Sequence, residues 1–142
     1  MKRLFRHLIF GLSMFFGCER FGGIPELYLY TDLPIENDSY IFDYPDNHEN
    51  TSTIVYGETE PNTRVYWSSP DSFIVNQEGG PTTTCIIDDL TYSDNETGIT
   101  QQLINLSAQH IGDTVTIIGL VYGKDFSDDG YNTDTLSIII ND

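Results

Sequence analysis

Thr114-Val115-Thr116-Ile117-Ile118-Gly119-Leu120-Val121-Tyr122 and Thr135-Leu136-Ser137-Ile138-Ile139-Ile140 decide the fold class. Both runs are dominated by Val, Ile and Thr, whose branched side chains suit a pleated, half-buried surface and lose rotamer freedom in a helix. They are the strongest strand signals in the chain. Outward from them, strand-like runs recur about every ten residues, punctuated by Gly, Pro, Asn and Asp. Tyr40 to Tyr44 precedes a polar turn from Pro45 to Asn50. Ser52 to Tyr56 follows, then Arg64 to Ser68 beyond Pro61-Asn62, then Ser72 to Asn76, closed by Gly79-Gly80-Pro81. Thr82 to Leu90 reads as one β-branched run, Ser93 to Gly98 as a hairpin turn, and Ile99 to Leu106 as its return. No window longer than about ten residues beyond the N-terminus has a helical period, so the expectation is all-β, a β-sandwich of about seven or eight antiparallel strands. No internal repeat is present, and residues 38–142 have the length of one such domain.

The N-terminus is different in kind. Lys2, Arg3 and Arg6 precede an apolar run from Leu8 to Gly17. That run is too short to span a bilayer, which takes roughly 20 apolar residues, and its flanks suit a signal-peptide helix over residues 1–17. Phe15-Phe16-Gly17-Cys18 resembles a bacterial lipobox of the looser Bacteroidota kind, although Phe15 and Phe16 are bulkier than the usual residues. The resemblance implies a lipid on Cys18 and an outer-membrane, cell-envelope location. Residues 18–37, with Gly22-Gly23, Pro25 and Pro34, read as a tether, either free or with its alternating piece Leu27 to Tyr30 docked as a strand. A disulfide between Cys18 and Cys85 is the alternative, permitted by an oxidising compartment. With Cys18 acylated, Cys85 is expected to be a small buried hydrophobe.

Charge narrows the partners. The chain has six Lys and Arg against 22 Asp and Glu. Three of the basic residues and none of the acidic ones precede position 18, so the remainder keeps three positive charges against 22 negative, a formal −19. Phosphate neutralisation needs Lys and Arg, so nucleic acid is excluded as a partner, and so is a polybasic hold on anionic lipid. Nine Tyr, eight Phe and one Trp supply the apolar mass that a disordered acidic chain lacks.

Gly57 to Pro70, with Tyr66-Trp67 at its centre, resembles the second and third strands of an immunoglobulin-like domain. Ile111 to Val121 is similar to the approach to the sixth strand in PKD-type domains, with Val115 where those carry Tyr. The resemblance implies an immunoglobulin-like sandwich with Trp67 in its core. It also implies that the loops Glu58 to Pro61, Ser93 to Gly98 and Lys124 to Asn132 gather at one pole.

Catalytic signals are thin. His48 and His110 have no partner at metal or triad spacing, and no nucleophile, zinc or phosphate-loop motif occurs. The expectation is a non-enzyme. Asp125-Phe126-Ser127-Asp128-Asp129-Gly130 matches the opening of a calcium loop, making Asp125, Ser127 and Asp129 candidate ligands. Leu136 stands where an EF-hand has its bidentate Glu, so a neighbouring loop would have to complete the site, and a solubilising acidic hairpin tip is the simpler reading. Two functional expectations follow: a lipoprotein binding or assembly module for an envelope protein, or a carbohydrate-binding accessory. Tyr66 and Tyr122 bear on the second, because exposed tyrosines stack on sugars; a cluster of such rings on one face would favour it.

Overall fold

The computed structural model describes residues 23–46, 50–123 and 130–142. The expected signal peptide, Cys18 and the candidate calcium ligands Asp125, Ser127 and Asp129 lie outside these, as does His48. The chain is all-β, in several sheets. Its strands are β1 (Tyr28–Tyr30), β2 (Ile35–Glu36), β3 (Ser39–Asp43), β4 (Asn50–Glu58), β5 (Arg64–Ser68), β6 (Ser72–Gln77), β7 (Gly80–Cys85), β8 (Asp88–Tyr92), β9 (Ile99–Ser107), β10 (Thr114–Tyr122) and β11 (Tyr131–Asn141). A 3-10 turn, Ala108–His110, follows β9.

A three-stranded sheet has the order β1-β4-β9 and a six-stranded sheet the order β2-β3-β11-β10-β5-β8, while β6 and β7 form a hairpin of their own. Two expectations are corrected. There are eleven strands among the described residues, and one pair is parallel: β3 lies beside β11 with Ile138 opposite Tyr40. The extra strands have identifiable causes. Residues 28–30 and 35–36, inside the segment expected as a tether, pair with β4 and β3. Asn37 and Asp38 both adopt positive φ, giving the tight two-residue turn that joins β2 to β3. The run Thr82 to Leu90 is two strands, because Ile86 and Ile87 turn inward and are buried between β7 and β8.

Period-two alternation then sorts the side chains. Val115, Ile117 and Val121 of β10 and Leu136, Ile138 and Ile140 of β11 are buried, and they share one apolar cluster with Leu29, Val55, Ile104 and Leu106 of the three-stranded sheet. Trp67 stands in that cluster with 1% of its surface exposed. A buried indole needs a partner for its N–H. Trp67 Nε1 donates to Thr91 Oγ1 at 2.7 Å, and Thr100 Oγ1 donates to the same oxygen at 2.7 Å, so the contact runs from β5 through β8 to β9. The ring lies over Gly57 of β4, where a Cβ would come within 3.2 Å of it.

The N-terminal segment is strapped across both sheets by hydrogen bonds between side chains and backbone. Thr59 Oγ1 donates to the Glu26 carbonyl at 2.6 Å and Asn132 Nδ2 to the Pro25 carbonyl at 2.8 Å. The Leu29 N–H donates to the Asp134 carboxylate at 2.7 Å.

Thr91→Val keeps the shape of the side chain and removes the acceptor of the Trp67 N–H. An unsatisfied buried donor costs about 1–3 kcal/mol. Urea unfolding should show that loss, while the exposed Ser68→Ala leaves the midpoint unchanged.

Candidate functional site

Burying Val65 and Trp67 sends their neighbours Arg64, Tyr66 and Ser68 to the outer face of the six-stranded sheet. Ladder register does the rest. Arg64 lies opposite Tyr92, Tyr66 opposite both Leu90 and Leu120, and Tyr122 opposite Tyr131. Four tyrosines from four adjacent strands therefore share one outward surface. Tyr66 is 36% exposed, Tyr92 59%, Tyr122 52% and Tyr131 59%.

Their arrangement is specific. Tyr66 and Tyr122 meet edge to face at 5.5 Å, and Tyr122 and Tyr131 likewise at 6.2 Å. The Arg64 guanidinium lies over the Tyr92 ring, 5.5 Å from its centre. Its Nε donates to the Tyr92 hydroxyl at 3.1 Å and its Nη1 to the Tyr66 hydroxyl at 3.2 Å. These hydrogen bonds, to Tyr66 foremost and then Tyr92, raise the pKa of Arg64 above its ordinary value. Arg64 thus holds two of the four rings in place. Leu90, 40% exposed, and Leu120 fill the surface between them. The same outward face carries Asp88, which lies opposite Ser68 beside the Tyr66–Leu90 pair, so a carboxylate borders the tyrosine surface.

A second tyrosine group differs in character. Tyr28, Tyr30 and Tyr56 stack on the three-stranded sheet at 6.0 and 5.1 Å, and are only half-exposed. Burial, then Glu58 and Asp32, push the Tyr30 pKa up, and Asp32 does the same for Tyr56. These rings pack against each other beside carboxylates.

Two of the loops expected at one pole meet there. The Thr59 N–H donates to the Gly98 carbonyl at 2.9 Å, and Ser93 Oγ donates to the Glu60 carbonyl at 2.6 Å. Gly98 has φ +71°, and a Cβ there would strike the Thr59 carbonyl oxygen. Within this turn Asp94 accepts from the N–H groups of Glu96 and Thr97, each at 2.9 Å, and from the Thr97 hydroxyl at 3.1 Å. Those donors, Thr97 first, hold its carboxyl below the usual carboxylate range. Among the described residues no group of three or more His, Cys, Asp or Glu side chains is placed to hold a metal ion.

Trp67, expected in the core, is buried there. His110 serves the backbone: its Nδ1 accepts from the Ser107 N–H at 3.4 Å and its Nε2 lies 3.1 Å from the Ser72 carbonyl. Cys85 is a correction. It is exposed, not buried, because the covered face of its hairpin is the one that carries Phe73 and Thr84, and alternation turns Cys85 to the other side. Tyr92 and Tyr131 are site residues that the sequence reading misses, because it ends the Thr82 run at Leu90, two residues short of the end of β8, and places Tyr131 in the loop Lys124 to Asn132; it takes Arg64 only as the start of its strand. The signal available was parity, since Tyr66 and Tyr122 stand one residue from buried positions. Comparison with protein-family models, curated proteins and solved structures found no match.

Acidification should loosen the β8–β9 turn in a defined sense. A carboxylate with a lowered folded pKa contributes stability that is present above its unfolded pKa and lost as pH falls through the folded value. The protection of the Glu96 and Thr97 amides, relative to their intrinsic exchange at each pH, should therefore be present at neutral pH, fall as Asp94 protonates, and be absent at every pH in Asp94→Ala.

Proposed function

We propose that this chain is a non-catalytic carbohydrate-binding module of the cell envelope, held there by a lipid on Cys18. The single observation that carries the reading is the tyrosine surface of the six-stranded sheet. A tyrosine ring offers an apolar face to the C–H side of a sugar and a hydroxyl to its polar rim. Surface apolar area gathered into one patch, and not scattered, marks a binding site. Here two of the rings are fixed by Arg64 and two by each other, so little freedom is lost on binding.

The fold proposed is an immunoglobulin-like sandwich. Its support is the division of strands: β4 and β9 lie in one sheet and β5, β10 and β11 in the other. Immunoglobulin-type domains divide their second and fifth strands from their third, sixth and seventh in the same way. Trp67 on β5 corresponds to the core tryptophan of the third strand. The parallel β3–β11 pair and the β6–β7 hairpin are additions to that plan.

Charge selects among glycans. A chain with a formal −19 beyond the signal repels polyanions, so the ligand is an uncharged polysaccharide. In native affinity gels, the exported chain should be retarded by at least one neutral polysaccharide among glucan, xylan and mannan, and not by alginate or pectin. Tyr122→Ala with Tyr131→Ala should abolish the retardation, since truncating anchor aromatics of this kind costs about 2 kcal/mol or more. Equal migration of wild type and double variant in all gels would remove the proposal.

A further inference from the structure

An unpaired sheet edge exposes a row of N–H and C=O groups ready to bind another strand, and folded proteins protect such edges. Most edges here carry a protecting device. β1 has three residues, and its Leu29 N–H is taken by Asp134. β2 has two residues. β8 carries Asp88 and Asp89. β7 contains Pro81. β6 is capped at Ile74, whose N–H donates to Gln109 Oε1 at 3.1 Å while its carbonyl accepts from Gln109 Nε2 at 2.8 Å.

β9 is the exception. It has nine residues, Ile99-Thr100-Gln101-Gln102-Leu103-Ile104-Asn105-Leu106-Ser107, and forms the end of the three-stranded sheet. The strand contains no charge, proline or glycine. The direction of its backbone groups follows from its two ends. The Ile99 carbonyl accepts from the Asp94 N–H at 2.9 Å, and the Ser107 N–H donates to His110. Neither partner is on β4, so at odd-numbered positions the backbone points away from β4. Gln101, Leu103 and Asn105 between them are exposed, Leu103 by 53%, and among the described residues no strand pairs with this side. Leu103 lies opposite Ile54, which is also exposed, so the edge has an apolar side-chain contact to offer beside its backbone.

We propose that the edge of β9 from Gln101 to Asn105 accepts an extended segment of another protein as an added strand, and that this segment carries Lys or Arg. Charge complementarity chooses the occupant. Asp94 adjoins one end of the edge, and Asp89, bonded to Gln102 Nε2 at 2.8 Å, lies beside it. A second copy of the same acidic chain would bring like charges together. Main-chain hydrogen bonds give such a complex its affinity, and apolar side chains at alternate positions give it register. The proposal is independent of the tyrosine surface, which lies on the other sheet.

The test uses the full exported chain and a fluorescent peptide of about seven alternating valines and threonines with lysine at both ends. Anisotropy should rise saturably. Methylating alternate peptide nitrogens, so that they cannot donate to β9, should weaken binding at least about tenfold, or 1.4 kcal/mol. Leu103→Pro should do the same, because it removes an outward N–H and none that pairs with β4. Leu103→Lys, an exposed substitution that leaves the fold intact, should also weaken binding, and decides the matter if the proline variant does not fold. Absence of binding, or equal binding of methylated and unmethylated peptides, would overturn the proposal. So would a wild-type dimer in sedimentation that Leu103→Lys dissolves, since the edge would then belong to a second copy.

Discussion

Trp67 is the constraint on which the rest of the structure depends. A buried indole has one polar atom, and leaving it unpaired costs more than any single contact returns. Its N–H is satisfied by Thr91, which Thr100 also engages, so the largest core side chain ties three strands of two sheets together. Strand periodicity turns that inward demand into an outward consequence. With Trp67 and Val65 facing the core, Tyr66 and Arg64 must face solvent, and a one-residue slip of β5 would bury an arginine. The register that serves the tryptophan is therefore also the register that aligns Arg64 with Tyr92, and Tyr66 with the strand carrying Tyr122.

The outer surface that results has a division of labour. Glu58 and Asp32 lie near the half-buried tyrosines of the three-stranded sheet, whereas two of the outward tyrosines of the six-stranded sheet are bonded to Arg64. Among the described residues Arg64 is the one cation there, and its hydrogen bonds go to tyrosine hydroxyls. The edge of β9 is a different kind of surface, linear and dominated by backbone groups. An aromatic surface and a strand edge suit different chemistries, and the two proposals differ accordingly, a sugar face in one case and a peptide backbone in the other.

Local patterns carried much of this. Arg64–Ser68 and Thr114–Tyr122 have the bounds that their β-branched and aromatic residues suggest, and the turn at Ser93 to Gly98 lies where its Asn and Gly place it. What escaped was non-local. Ile86 and Ile87 look like the middle of one strand, but they turn into the core between two. The parallel pairing of β3 with β11 joins residues about a hundred positions apart, which no local period encodes. Cys85 is apolar enough to be core, yet it stands on the face of its hairpin opposite to buried Phe73. Half of the tyrosine surface was visible as Tyr66 and Tyr122. Tyr92 and Tyr131 become members only through cross-strand register, and the candidate calcium ligands lie in the segment outside the described residues.

The most direct measurement of the central claim is an NMR titration of the tyrosine ring resonances of residues 18–142 with a neutral oligosaccharide. The rings of Tyr66, Tyr92, Tyr122 and Tyr131 should shift together and saturate, while those of Tyr28, Tyr30 and Tyr56 stay in place. Saturable shifts confined to Tyr28, Tyr30 and Tyr56, or none in either group, would contradict the account.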